Sequence, residues 1–210
     1  MLIAHLPAGY LMSRQVQKVY KTHRFLWIGL VASVFPDLDL IWFYFVDNRA
    51  YLHHSYWVHK PVFCLAFFVV CYVLYRLFGS GKKQWEYVIV LFFSNWLLHL
   101  VLDTVVGEIQ WLYPYTTERY ALFEVPAVYG WWLWNFVFHW SFVLEVGIVV
   151  VAGVVMVLGI GSRYLSGTRR TLNQHRCGVL VQGTYPEPGE PGTSTGVQSL
   201  GKMIRFYFPL

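Results

Sequence analysis

Four apolar stretches, at about residues 25–46, 61–78, 87–106 and 137–160, constrain this 210-residue chain more than any other feature. A helix needs roughly 20 apolar residues to cross the hydrocarbon of a bilayer, and a helix satisfies its own backbone there. A shorter apolar piece, Leu2 to Met12, precedes them. It lacks a basic leader and a small-residue cleavage site, so it reads as a short membrane helix that is retained. The expected fold is therefore an all-α polytopic membrane bundle of four full spans plus a short N-terminal membrane helix. Composition agrees, with 57% hydrophobic and only 13% charged residues, against about 25% charged in a soluble domain. Ten Trp and fifteen Tyr add rings suited to headgroup level.

The net charge of +5 would suit nucleic acid, but its distribution points to membrane topology instead. Residues 13–24 carry Arg14, Lys18, Lys21 and Arg24 without an acid, and the 76–86 turn carries Arg76, Lys82 and Lys83 against Glu86. Arg163, Arg169, Arg170 and Arg176 follow the last stretch, whereas the 107–136 loop sets Glu108, Glu118 and Glu124 against Arg119. Lys and Arg in short loops stay on the cytoplasmic side. The 47–60 and 107–136 loops are thus expected outside and the C-terminus in the cytoplasm. Residues 1–162 form the expected membrane-embedded domain. Residues 163–210, with the run Gly183-Thr184-Tyr185-Pro186-Glu187-Pro188-Gly189-Glu190-Pro191-Gly192, read as a polar, disordered tail. Cys64, Cys71 and Cys177 have no metal-ligand spacing and read as filler.

Ionisable residues in or beside a membrane are costly and mark functional sites. Pro36 should break the first span, and Asp37 and Asp39 follow at once. Capping of the new helix end explains one of these carboxylates more easily than two. His53, His54 and His59 fall within one outward loop, where their imidazoles can converge on a cation. Asn95, His99 and Asp103 are spaced by four, which stacks them on one helical face. His99 and Asp103 then suit one metal, with Asn95 as an orienting neighbour. His139 opens the last span and Glu145 lies inside it. A carboxylate at that depth must be protonated, paired or bound to metal. His5 falls at the same outer level if the N-terminal segment enters from outside.

The order His5-Leu6-Pro7-Ala8-Gly9-Tyr10, Pro36-Asp37-x-Asp39, His53-His54-Ser55, His99-x3-Asp103 and Gly107-x3-Trp111-Leu112-Tyr113-Pro114 resembles the DUF457 family. These are bacterial inner-membrane, metal-dependent hydrolases, distantly similar to zinc-dependent phospholipase C and P1-type nucleases. The resemblance covers about residues 1–145. It implies His5, Asp37, Asp39, His54, His59, His99 and Asp103 as ligands of one to three divalent ions, zinc by analogy. His53 and His54 remain alternatives for one position, and His139 joins the candidate ligands. The activity so implied is hydrolysis of an ester or phosphoester on a lipid or lipid-linked substrate at the outer face. Asp39 or Glu145 would take the proton of the attacking water. Two other classes stand beside this one: a haem protein with His99 and His139 as axial ligands, and a metal or proton transporter. The first gives the Asp37–Asp39 pair no role, and the second needs polar groups on both sides of the midplane.

Overall fold

A computed structural model describes residues 3–79 and 81–160 of the chain. The tail expected from residue 163 onward lies outside the described residues. Among those described, every regular element is helical, and the only β-type pairing is one isolated bridge between Ile109 and Tyr120. The helices are α1 (His5–Val19), α2 (Leu26–Val34), α3 (Asp39–Phe45), α4 (Pro61–Phe78), α5 (Lys83–Asp103), α6 (Trp132–Val137) and α7 (Phe142–Ile160).

Three of these, α4, α5 and α7, are long and apolar enough to cross a membrane, and α2 with α3 can make a fourth as a bent pair. The bend is 53° and falls where the sequence places Pro36, in a 3-10 turn over Pro36–Leu38. The ring removes a backbone donor and disfavours helix at the preceding residue, so the chain leaves α2 and restarts with Asp39 in the first turn of α3. At 21 residues, α5 is about 31 Å long, and it forms the axis of the bundle.

Two features differ from the sequence expectation. The N-terminal helix does not stop near Met12 but continues through the basic stretch to Val19. It runs antiparallel to α5: His5 meets Asp103 at one end, while Val16 and Tyr20 pack against Tyr87 near the other. Small residues also bring α1 close to α2, because a Cβ on Gly9 would strike Ser33 and one on Gly29 would strike Ser13. Polar groups then bind the helices together, as expected where lipid supplies no hydrophobic drive. Asn95 donates to Ser13 Oγ at 3.3 Å and to the Leu91 carbonyl at 2.8 Å. The last span is also shorter than 137–160. It begins at Phe142, after a break at His139–Ser141 that separates it from α6.

These contacts sort the connections into two ends. The turn at 20–25 and residues 79, 81 and 82 sit at one end, where Tyr87 donates to the Arg24 carbonyl at 2.6 Å. The 46–60 and 104–141 segments sit at the other. There the Trp96 indole donates to the Val58 carbonyl at 2.8 Å, and Phe123 N donates to the Val105 carbonyl at 3.0 Å.

Candidate metal centre

Residues from five separate segments meet at that second end. His5 arrives on the first turn of α1, Asp37 on the 3-10 turn and Asp39 on α3. His53, His54 and His59 come from two 3-10 turns in the loop, and His99 and Asp103 from the last turns of α5. Four of them, Asp37, His59, His99 and Asp103, each offer one ligand atom, and these atoms all lie within 4.8 Å of one another. His53, His54 and His59 form a second such group, with His59 common to both.

The spacing within the first group tests whether a cation fits. His99 Nε2 lies 2.9 Å from Asp103 Oδ2 and 3.6 Å from Asp37 Oδ1. His59 Nε2 lies 3.7 Å from Asp103 Oδ2 and 4.0 Å from Asp37 Oδ1. Four ligands at about 2.0–2.2 Å from a tetrahedral ion are separated by roughly 3.3–3.6 Å. The observed distances straddle that range.

Proton placement points the same way. His99 Nδ1 is 2.8 Å from the Ser33 carbonyl, an acceptor only, so Nδ1 carries the proton. His59 Nδ1 faces Asp39 Oδ2 at 2.9 Å, which fixes the same tautomer. In its neutral form each ring therefore turns an Nε2 lone pair toward the carboxylates. Both Nε2 atoms are buried without a hydrogen bond among the described residues. Lone pairs and carboxylate oxygens that converge in a buried site repel each other unless a metal ion or a proton lies between them. This is the geometry by which outer residues orient metal-binding histidines. The residues present fit a divalent ion.

The loop histidines differ in charge. Burial works against protonation of His53, but the Asp37 and Asp39 carboxylates outweigh it and push the ring up to about 9. Burial pushes His54 down to about 3, against the pull of Asp103, and it also lowers His59. His54 and His59 are thus neutral and able to ligate near pH 7. His53 serves instead as a bridge, with Nδ1 3.0 Å from Asp39 Oδ1 and Nε2 3.4 Å from Asp37 Oδ1. His5 stacks on His99 with ring centroids 3.9 Å apart and sets Nε2 3.1 Å from Asp103 Oδ1.

Two sequence candidates lie elsewhere. His139 faces the Ser141 hydroxyl at 2.8 Å and is not brought into the cluster. Glu145 is buried and accepts the Ile3 backbone N–H at 2.6 Å. That contact anchors the segment just before His5. Asn95, expected as an orienting neighbour, turns to Ser13. The orienting group is the Ser33 carbonyl, which no side-chain pattern signals.

A comparison with known protein families matches residues 1–169 to YdjM inner membrane protein. The chain belongs to the YdjM inner membrane protein family. Comparisons with curated proteins and with solved structures return no match. The family name agrees with the apolar helices of this YdjM-family chain in placing it at the inner membrane.

A cavity of about 210 Å³ opens on the cluster. Asp37, Asp103, His53 and His54 form its polar wall, and Leu40, Trp132 and Phe136 its apolar one. Gly107 belongs to this wall because a Cβ there would strike the His54 ring.

Proposed function

We propose that this chain is a membrane-embedded, metal-dependent hydrolase. It cleaves an ester or phosphoester of a lipid or lipid-linked substrate at the outer face of a bacterial inner membrane, with α2 and α3 together serving as a fourth span. The observation that carries the reading is the convergence of Asp37, His59, His99 and Asp103 on one cation-sized space beside a half-apolar cavity. His59, His99 and Asp103 would hold one ion, with Asp37 beside it free to face a water, and His54 with the His59 edge would approach a second. Two imidazoles and one carboxylate suit a catalytic zinc.

A bound zinc ion supplies a water with a pKa near 7 and a Lewis acid for the substrate oxygen. The chain does the rest. Ser33 and Asp39 hold the His99 and His59 rings in the tautomer that presents Nε2. Asp39 is engaged by both His53 and His59, so it orients more readily than it accepts a proton. Asp37 lines the cavity and has the more exposed side chain. We therefore assign to Asp37 Oδ2 the acceptance of the water's proton. Leu40, Trp132 and Phe136 give an alkyl chain an apolar wall and reduce access of bulk water. The haem reading finds less support, because His99 turns toward His59 and the carboxylates while His139 turns toward Ser141.

Metal analysis and lipid phosphoester hydrolysis with detergent-purified protein test the proposal. Wild-type protein should retain zinc. His99→Ala and Asp103→Ala should each lose it together with at least about 100-fold of the hydrolytic rate, at the upper end of what losing even an orienting residue costs. Wild-type protein that holds no metal after reconstitution would sink the reading. Cleavage of soluble esters but no amphiphile would remove the lipid substrate from it.

A further inference from the structure

Beside the cavity on the metal centre lies a larger one of about 440 Å³. The two share the wall made by His53, His54, Val106, Gly107 and Phe136. The larger cavity contributes a group that the reaction does not use. Arg119 is the single Lys or Arg among the residues that line either space.

The Arg119 guanidinium is placed rather than loose. Nη2 donates to Ser55 Oγ at 2.8 Å, and Ser55 directly follows His54 in the chain. The side chain is 27% exposed, so most of it is packed into the wall. Its remaining partner is weak: Nη1 lies 3.7 Å from Glu108 Oε2, beyond hydrogen-bond length, and the Glu108 side chain is 59% exposed. Such a solvent-facing pair is worth little and exchanges readily. Glu124 also lines this space from an exposed position, and His53, the other cation on its wall, is already held between Asp37 and Asp39, so Arg119 is the cation left lightly paired. A planar guanidinium held on one side and lightly paired on the other is suited to a carboxylate or phosphate.

We propose that Arg119 recognises a second anionic group on the substrate, which displaces Glu108 on binding. The inference rests on the hydrolase reading and narrows its substrate class. The substrate is an amphiphile with the scissile ester at the Asp37–Asp103 wall and a further carboxylate or phosphate reaching past Gly107. Gly107 packs directly on the His54 ring in the wall that the two cavities share, where a Cβ would strike it.

Calorimetric titration of metal-loaded protein with non-hydrolysable alkylphosphonates tests this. The ligands carry three to six carbons, with and without a terminal carboxylate. In wild-type protein the carboxylate should tighten Kd about tenfold at one chain length, the scale of a single charge-assisted contact. Arg119→Gln should erase that gain and Arg119→Lys should keep part of it. Glu108→Gln should enlarge it by removing the competitor. Opposite shifts from the two halves of one ion pair are the signature, since a purely structural bridge would move both variants the same way. If Arg119→Gln fails to fold, Glu108→Gln alone carries the sign. Equal Kd with and without the carboxylate, or shifts in one direction, overturns the role of Arg119 and leaves the hydrolase reading standing. Failure of wild-type protein to bind either phosphonate overturns the hydrolase reading as well.

Discussion

Asp39 shows how far single residues here act through their neighbours. One oxygen holds His59 Nδ1 at 2.9 Å and the other lies 3.0 Å from His53 Nδ1. Asp39→Asn keeps the shape but replaces one acceptor by a donor, so one of the two rings loses its orientation. Metal affinity is expected to fall about 10–100-fold while the fold persists, the usual cost of losing an orienting group. Competition against a chromophoric chelator measures it, and an unchanged affinity would show that Asp39 does not set the His59 ring. At this scale the sequence was informative wherever side chains sit in a regular frame. The four-residue spacing of His99 and Asp103 on α5 brought their ligand atoms to 2.9 Å. It was silent wherever backbone acts, as with the Ser33 carbonyl. It could not separate Asp39 the orienter from Asp37 the cavity-facing carboxylate, because two residues in a broken helix give no reliable facing. Glu145 was legible as a buried carboxylate, but its partner, a backbone amide more than 140 residues away, was not.

Among the elements, the broken α2–α3 pair decides whether a site forms. Asp37 and Asp39 reach the histidines only because the chain turns by 53° at Pro36. A continuous helix would carry the carboxylates along the α2 axis and spread them by about 200° around it, two residues at 100° each. Pro36→Ala restores the donor and relieves the clash, so a straighter pair becomes accessible. The expected result is a loss of metal affinity of at least about tenfold, since oriented ligands are displaced, with the helical bundle retained. Metal titration beside far-ultraviolet circular dichroism checks it. Undiminished affinity would mean that packing around the pair, rather than proline, imposes the bend. The break could be read from Pro36 itself, but the length of α1 could not. Ser13 and Gln17 are buried against α2 and α5, yet in sequence they lie among Arg14 and Lys18 and read as part of a basic connection. Only the tertiary partner shows that one face of that stretch is interior.

Taken as a whole, the molecule separates its charges along the bundle. The histidine and aspartate cluster, with both irregular segments at 46–60 and 104–141, occupies one end. Lys18, Lys21, Arg24, Arg76, Lys82 and Lys83 lie toward the other, against Arg49, Lys60 and Arg119 at the site end. If basic residues stay with the cytoplasm, the site must open outward, and a lipid substrate would enter from the outer leaflet. Cysteine accessibility decides this without reference to activity. In a background with Cys64, Cys71 and Cys177 replaced by Ala, Tyr51→Cys and Tyr115→Cys place thiols at exposed positions in the two loops of the site end. His23→Cys and Lys82→Cys place them at the opposite end. A membrane-impermeant maleimide applied to intact spheroplasts should label the first two at once and the second two only after permeabilisation. The reverse pattern would put the site in the cytoplasm and redirect the search to substrates made there. Labelling of Tyr51→Cys and Tyr115→Cys from opposite faces would be more damaging. Segments that share a hydrogen-bonded site, through Arg119 and Ser55 at 2.8 Å, cannot be divided by a bilayer, so that result would undo the arrangement on which the metal centre depends.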